Sequence, residues 1–146
     1  MARKRPRSGS NVFQDEALQA YLQDISKFDS LSKEEEYELG IKAKEGDQEA
    51  INRLIQSNLK FVAKVAAKYQ GRGLSLSELI SEGNIGLIRA IEKFDPSKDV
   101  KLISYAIWWI KQRILQALSE KSSLIRLPMG KASEVNRIRA TQERHF

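Results

Sequence analysis

The spacing of apolar residues constrains the fold of this chain more than any other feature of its sequence. From Leu18 to Phe94 they recur three and four positions apart, the period that lines one face of an α-helix. No segment shows convincingly the two-residue alternation of a half-buried strand, and there is no internal repeat. The sequence therefore predicts an all-α fold, a compact helical bundle of about six helices.

Polar residues predict where several helices begin. Residues 32–35 and 75–78 both have the Ser-x-x-Glu spacing of a capping box. Asp47 is placed to cap a long third helix that extends to about Tyr69. The first ten or so residues carry four basic side chains and no acid, so residues 1–12 are expected to form a disordered basic tail.

The fourth helix is expected to end before Pro96 and to contain two interior glycines, Gly83 and Gly86. Each costs about 1 kcal/mol relative to alanine inside a helix. Such glycines are typical of close approach by another backbone or by a partner, although loss by drift explains them equally well. One side of this helix should carry the apolar residues Ile80, Leu87, Ile88, Ile91 and Phe94.

A fifth, aromatic helix is predicted from about residue 100 to residue 119. Tyr105, Trp108, Trp109 and Gln112 fall on one face at i, i+3, i+4 and i+7. Aromatic rings beside basic residues suit single-stranded nucleic acid, because bases stack on rings and phosphates pair with cations. An aromatic stripe at helical spacing, however, more commonly belongs to the core of a protein. The two tryptophans lie about 100° apart on a helix, so we expect one in the core and one exposed.

Charge is unevenly distributed along the chain, whose net charge is +6. Residues 15–47 hold ten acidic and four basic residues, whereas residues 98–144 hold ten basic and four acidic ones. A polyanion would be attracted to the C-terminal half, although solvated helix faces can also produce local imbalance.

Other classes of function are disfavoured by what the sequence lacks. It has no cysteine, no apolar run near the roughly 20 residues of a membrane span, and no apolar signal core. Its only histidine, His145, has no catalytic or metal-ligand partner pattern, and the consecutive carboxylates at 34–36 are expected to be solvated. We predict no enzyme activity, catalytic residue, cofactor or metal site, no membrane association, and a cytoplasmic location.

A family resemblance rests on three sequence segments. In chain order they are NLKFVAKVAAKYQGRGLSLSELISEGNIGLIRAIEKF, SYAIWWIKQRILQAL and IRLP. Together they resemble bacterial sigma-70-family transcription initiation factors over roughly residues 16–139. The resemblance implies that residues 13–127 form the core-binding and −10-recognition domain, with a helix-turn-helix-like promoter-binding portion. Residues 128–146 would begin the following domain as a truncated helix. Such a factor acts at the bacterial nucleoid.

The resemblance also implies two sets of contact residues. One set, on the fourth helix, would meet the clamp coiled coil of the largest subunit of core RNA polymerase: Glu78, Ser81, Glu82, Asn84 and Ile88. In the other set, Tyr105 would stack on a flipped adenine of the −10 non-template strand. Trp108 and Trp109 would lie at the upstream fork of the bubble, and Gln112 would read the most upstream −10 base pair.

Further DNA contacts follow from the same resemblance. Asn58 would help hold a second flipped base, and Arg126 would contact the DNA backbone. Strand and pocket contacts complete the set that the resemblance implies: Asp95, Lys98, Lys101 and Ser104. Lys111 joins the predicted DNA contacts as one of the basic residues beside the aromatic rings.

Some positions depart from the family pattern. Val100 and Leu102 replace aromatics, Leu115 replaces a polar reader, and Gly130 and Ser133 stand where His and Glu read the extended −10 sequence. We therefore expect weaker intrinsic melting and little use of the extended element.

Two alternatives stay open. The chain stops before the linker and the −35-reading domain, which favours a fragment of a longer protein over a naturally minimal factor. A rival interpretation is an interaction module that binds polymerase or an anti-sigma factor without touching DNA.

Overall fold

The computed structural model of the protein describes the backbone of residues 9–126 and the side chains of residues 15–121. Within these residues there are six helices and no strand, which confirms the all-α prediction. The helices are α1 (Gly9–Ile25), α2 (Lys33–Lys44), α3 (Gln48–Gln56), α4 (Leu59–Ala67), α5 (Leu76–Lys93) and α6 (Leu102–Arg126). None of the helices in the described part of the chain is long and apolar enough to cross a membrane.

Helices α4, α5 and α6 supply most of the core. Val62, Leu79, Leu87 and Ile110 are fully buried where the three helices meet. Burying such side chains contributes about 1.5–3 kcal/mol each, as an upper estimate. The two interior glycines of α5 face this contact, so they admit a neighbouring helix of the same chain.

The predicted helix starts are confirmed. Ser32 accepts a hydrogen bond from the Glu35 backbone N–H, and the Glu35 carboxylate accepts one from the Ser32 N–H. The capping box of residues 75–78 has the same two bonds at the start of α5. The Asp47 carboxylate likewise accepts from the N–H groups of the first turn of α3. These bonds satisfy donors that a helix start otherwise leaves unpaired.

The long third helix predicted from Asp47 is wrong, because it divides into α3 and α4 at Asn58. The Asn58 amide donates to the Leu54 carbonyl at 2.8 Å, and the Ser57 hydroxyl donates to the same carbonyl at 3.1 Å. Short polar side chains compete in this way with the helical backbone ladder. Apolar spacing alone does not reveal such a break.

Two further helix boundaries and the exposure of one side chain differ from the prediction. Helix α1 begins at Gly9, inside the segment assigned to the tail, and residues 1–8 lie outside the described part. Helix α6 continues to Arg126 rather than stopping near residue 119, since no glycine or proline lies between residues 102 and 127. Pro128 and the predicted final helix are outside the described residues. Ile88 is 41% exposed and does not join the core side of α5.

Residues 94–101, which we call the α5–α6 loop, join the two helices that carry most of the predicted contact residues. The helix-turn-helix-like arrangement within this portion stays a prediction. The loop packs on α2, where a β-carbon on Gly40 would lie 2.9 Å from Cβ of Pro96. Helix α2 therefore packs against the connection between α5 and α6.

Candidate nucleic-acid interface

Four aromatic rings form a continuous row from the end of α5 along α6. The centroids of Phe94 and Tyr105 are 5.7 Å apart, and those of Tyr105 and Trp109 are 6.3 Å apart. Trp108 then meets Trp109 edge-on at 5.3 Å. These separations are typical of favourable aromatic contacts.

The exposure of the rings divides the row into a support and a surface. Phe94 is buried, whereas Tyr105 and Trp109 are half-buried and pack against the core. Trp108 is 56% exposed. The prediction of one packed and one exposed tryptophan is confirmed. The apolar spacing did not reveal that Phe94 supports Tyr105, because this spacing places Phe94 only on the apolar side of its own helix.

The α5–α6 loop places polar groups beside this row. The Asp95 carboxylate accepts hydrogen bonds from the Ser97 hydroxyl at 2.7 Å and from the Ser97 backbone N–H at 3.0 Å. These bonds hold the pKa of Asp95 below its usual value. Lys98 and Ser104 are both exposed, so their side chains are accessible to a strand that follows the row.

Lys101 is less free than Lys98 and Ser104. Its ammonium group donates to the Leu31 carbonyl at 3.0 Å, and the side chain is half-buried. In this structure Lys101 fastens the loop before α6 to the residues before α2. Its predicted contact with the strand stays a prediction.

A small groove lies beside the next turns of α6. Lys111 and Gln112 are half-buried on α6. The groove, of about 110 Å³, lies between α5 and α6 and is lined by Arg89, Trp109, Gln112 and Arg113, among others. Arg113 also donates from Nε to a Glu82 carboxylate oxygen at 2.8 Å, so its guanidinium is oriented by α5.

Two predicted contacts lie elsewhere. Asn58 is only 6% exposed at the break between α3 and α4, with its amide group donating inside the protein. A direct contact with a base would require this side chain to turn outward. Arg126 is the last residue of α6, and only its backbone is described. Both roles stay predictions.

The positions that depart from the family pattern have different environments. Leu102 is fully buried and belongs to the core, whereas Val100 is 47% exposed and Leu115 is 40% exposed. Val100 lines a groove of about 420 Å³ between α2 and the α5–α6 loop. Gly130 and Ser133 are outside the described part of the chain.

The residues predicted to meet polymerase lie on α5. Glu78 and Ser81 are exposed, and Ile88 adds an exposed apolar side chain, as Ile85 does. The Glu78 pKa is lowered, chiefly because the carboxylate accepts the Ser75 backbone N–H. This surface therefore combines carboxylates with apolar groups.

The two remaining residues of this set interact within the protein. The Asn84 amide donates to the Tyr21 hydroxyl at 3.2 Å, which connects α5 to α1. Glu82, two residues before Asn84, forms the ion pair with Arg113 described above. Both side chains are half-buried, and a partner would reach only part of each.

One important carboxylate was assigned incorrectly from the sequence. Glu36 is 5% exposed, so the expectation of a solvated group at 34–36 is wrong for this residue. Its carboxylate accepts the backbone N–H of Leu102 at 2.9 Å. No local spacing connects two residues so far apart in the chain, and α2 has no marked apolar side that would place Glu36 inside.

Comparisons with known proteins agree with the resemblance. The family model for sigma-70 region 2 matches residues 54–123, and the model for sigma-70 factor region 1.2 matches residues 16–49. The RNA polymerase sigma factor SigA of Clostridium acetobutylicum is 41% identical over 124 residues, which covers 85% of this chain and 33% of that protein. The chain thus spans about a third of the length of the curated relative that it matches.

Proposed function

The chain belongs to the sigma-70 family, and from this premise we propose that it is a transcription initiation factor. It would bind core RNA polymerase and hold the promoter −10 element open by capturing flipped bases of the non-template strand. Both proposed partners would put it in the bacterial cytoplasm, at the nucleoid. The observation that carries the proposal is the aromatic row, in which the Phe94 ring is buried and the Trp108 ring is exposed to solvent.

Capture rather than catalysis is the mechanism that these groups support. Tyr105 would stack on the flipped adenine, and Trp108 and Trp109 would cover the last intact base pair upstream. Unpairing a base costs a few kcal/mol, whereas stacking it on an aromatic ring returns about 1–3 kcal/mol. Because these energies nearly balance, the domain alone would hold a bubble better than it would open one.

Charged groups around the row would position the strand without reading it. Lys98 is exposed in the α5–α6 loop, while Lys111 lies on α6. The exposed Val100 and the buried Leu102 supply no ring beside this path. We therefore keep the expectation of weak melting in the absence of polymerase.

The exposed side of α5 is the proposed polymerase contact. Glu78, Ser81 and Ile88 are accessible there, and the partner would be the clamp coiled coil of the largest subunit. Helix-in-groove and helix-on-helix contacts use such rows of apolar residues with charged neighbours. An anti-sigma factor could compete for the same surface.

Titration with a single-stranded −10 oligonucleotide tests the proposal, with tryptophan fluorescence as the signal. A second oligonucleotide with the key adenine replaced is titrated in parallel, with and without core polymerase. We expect adenine-dependent quenching, lost in Tyr105→Ala and largely kept in Tyr105→Phe, which retains the ring. Tyr37→Ala, an exposed tyrosine on α2, is the matched control.

The outcomes separate the proposal from its rival. Polymerase binding without any adenine preference would identify an interaction module and overturn strand capture. Loss of binding to both partners would overturn the functional assignment as a whole.

A further inference from the structure

We propose that Glu36 is a positioning residue for base capture: it caps the N terminus of α6 from helix α2 and thereby sets the place of Tyr105. This inference rests on the proposed function. Its structural basis is the 2.9 Å hydrogen bond from the Leu102 backbone N–H to the Glu36 carboxylate. Glu36 is 5% exposed and Leu102 is fully buried, so water has little access to this bond.

Helix α6 needs a cap from outside its own sequence. The residue before it is Lys101, whose side chain contains only donors and cannot accept a bond from the first turn. Asp99, two positions earlier, forms an ion pair with Lys33. The first N–H groups of a helix have no partner within the helix, and a carboxylate beside them is favourable to the helix dipole. Glu36 supplies that carboxylate.

The capped turn is the one that carries Tyr105. Leu102 and Tyr105 are three residues apart, so they lie on one side of the first turn. The Tyr105 ring touches Phe94, the first residue of the loop, and Trp109, which follows one turn later. A shift of the first turn would move the Tyr105 ring relative to both neighbours.

The rest of the aromatic row is fixed independently. The backbone of Trp109 and Ile110 packs directly on Gly86 of α5. Loosening the start of α6 should therefore disturb Tyr105 far more than the two tryptophans. This difference provides a specific signature for the positioning role.

Helix α2 is well placed to act as the support. Lys33 pairs with Asp99 at 2.7 Å, and the Leu31 carbonyl accepts the Lys101 ammonium at 3.0 Å. Farther along α2, the Lys44 ammonium donates to the Glu92 carbonyl at 2.8 Å. These contacts hold α2 and the preceding Leu31 against the α5–α6 loop and the end of α5 even without the Glu36 carboxylate, so removing that group should act locally.

The test compares Glu36→Ala and Glu36→Gln with Glu34→Ala, an exposed carboxylate on the same helix. Amide hydrogen exchange of residues 102–105 is measured on the protein alone. Binding of the −10 oligonucleotide and of core polymerase is measured in parallel. In Glu36→Ala we expect about tenfold faster exchange and about tenfold weaker adenine-dependent binding, which corresponds to about 1.4 kcal/mol. Polymerase affinity should not change.

Glu36→Gln keeps an oxygen that can accept the Leu102 N–H, so exchange and oligonucleotide binding should stay closer to the wild type than in Glu36→Ala. Glu34→Ala should behave as the wild type. If Glu36→Ala does not fold, Glu36→Gln still tests the capping role. The exchange rate of the Leu102 amide in Glu36→Gln should then lie between the wild-type rate and the rate of an unprotected amide.

Several results would overturn the inference. Weaker binding without faster exchange would mean that Glu36 acts on the DNA directly, and faster exchange with unchanged binding would mean that the cap does not position Tyr105. If the wild type shows no adenine preference, the proposed function fails and the positioning role fails with it. An unaffected Glu36→Ala beside an adenine-selective wild type would overturn the positioning role alone.

Discussion

Gly86 lies so close to Trp109 that a β-carbon at position 86 would be 2.5 Å from the Trp109 carbonyl oxygen. The same β-carbon would be 2.8 Å from Cα of Ile110. Both contacts are with backbone, which cannot move aside as a flexible side chain can. The helix of the proposed polymerase surface and the helix of the aromatic row therefore pack directly against each other.

Gly86→Ala should destabilise the protein in spite of the better helix propensity of alanine. Overpacking costs about 1–3 kcal/mol, against a propensity gain of about 1 kcal/mol. Urea unfolding measures the difference. Ser77→Ala, an exposed substitution on the same helix, should leave the stability unchanged or slightly raise it. A stabilised Gly86→Ala variant would show that the helices can separate without cost.

Trp108→Ala and Trp109→Ala should have opposite consequences. Trp108 is 56% exposed, so its removal should cost less than about 1 kcal/mol of stability while weakening strand binding by about 1–3 kcal/mol. Trp109 packs against the core, and its removal should cost about 2 kcal/mol or more of stability. Urea unfolding and oligonucleotide titration of both variants separate the two effects. Equal losses of stability would contradict the division of the row into support and surface.

The periodic and capping signals were sufficient for the fold class and for the starts of α2, α3 and α5. Ser75 and Glu78 form a capping box within four consecutive residues, so the sequence contains all that the structure needs there. The aromatic residues of α6 could be identified for the same reason. Helical spacing places Tyr105 and Trp109 on one side without knowledge of any other helix.

Relationships across helices could not be predicted in this way. The break at Asn58 depends on a side-chain bond to the Leu54 carbonyl, which apolar spacing does not report. The burial of Glu36 depends on its contact with Leu102, which lies 66 positions later in the chain. Phe94 was predicted as core, and only the packed structure shows it beside Tyr105.

The ion pair between Glu82 and Arg113 should contribute little to stability. Its side chains are 28% and 39% exposed, and such pairs typically contribute about 0.2–1 kcal/mol. A double-mutant cycle with Glu82→Gln and Arg113→Gln, followed by urea unfolding, gives the coupling energy. The looser and more exposed pair of Arg89 and Glu92, 3.7 Å apart, should give a smaller value. A coupling that does not fall in 1 M salt would contradict a screened surface pair.

The pair of Lys33 and Asp99 makes the contact between α2 and the α5–α6 loop dependent on pH. Their hydrogen bond and opposite charges hold the pKa of Asp99 below its usual 3.8 and raise the pKa of Lys33 above its usual 10.5. The contribution of Asp99 is present above pH 3.8 and is lost as the pH falls through its lowered pKa. The contribution of Lys33 is present below pH 10.5 and is lost as the pH rises through its raised pKa.

Replacing Lys33 with glutamine should return the pKa of Asp99 towards its usual value, because the cationic partner is gone. NMR titration of the Asp99 carboxyl carbon in both proteins measures this change. Asp95 is the internal control, since its lowered pKa is caused chiefly by Ser97 and should not move in Lys33→Gln. If Asp99 titrates identically in the two proteins, the pair does not form in solution, and α2 must be held to the loop by the buried contacts of Glu36 and Leu102.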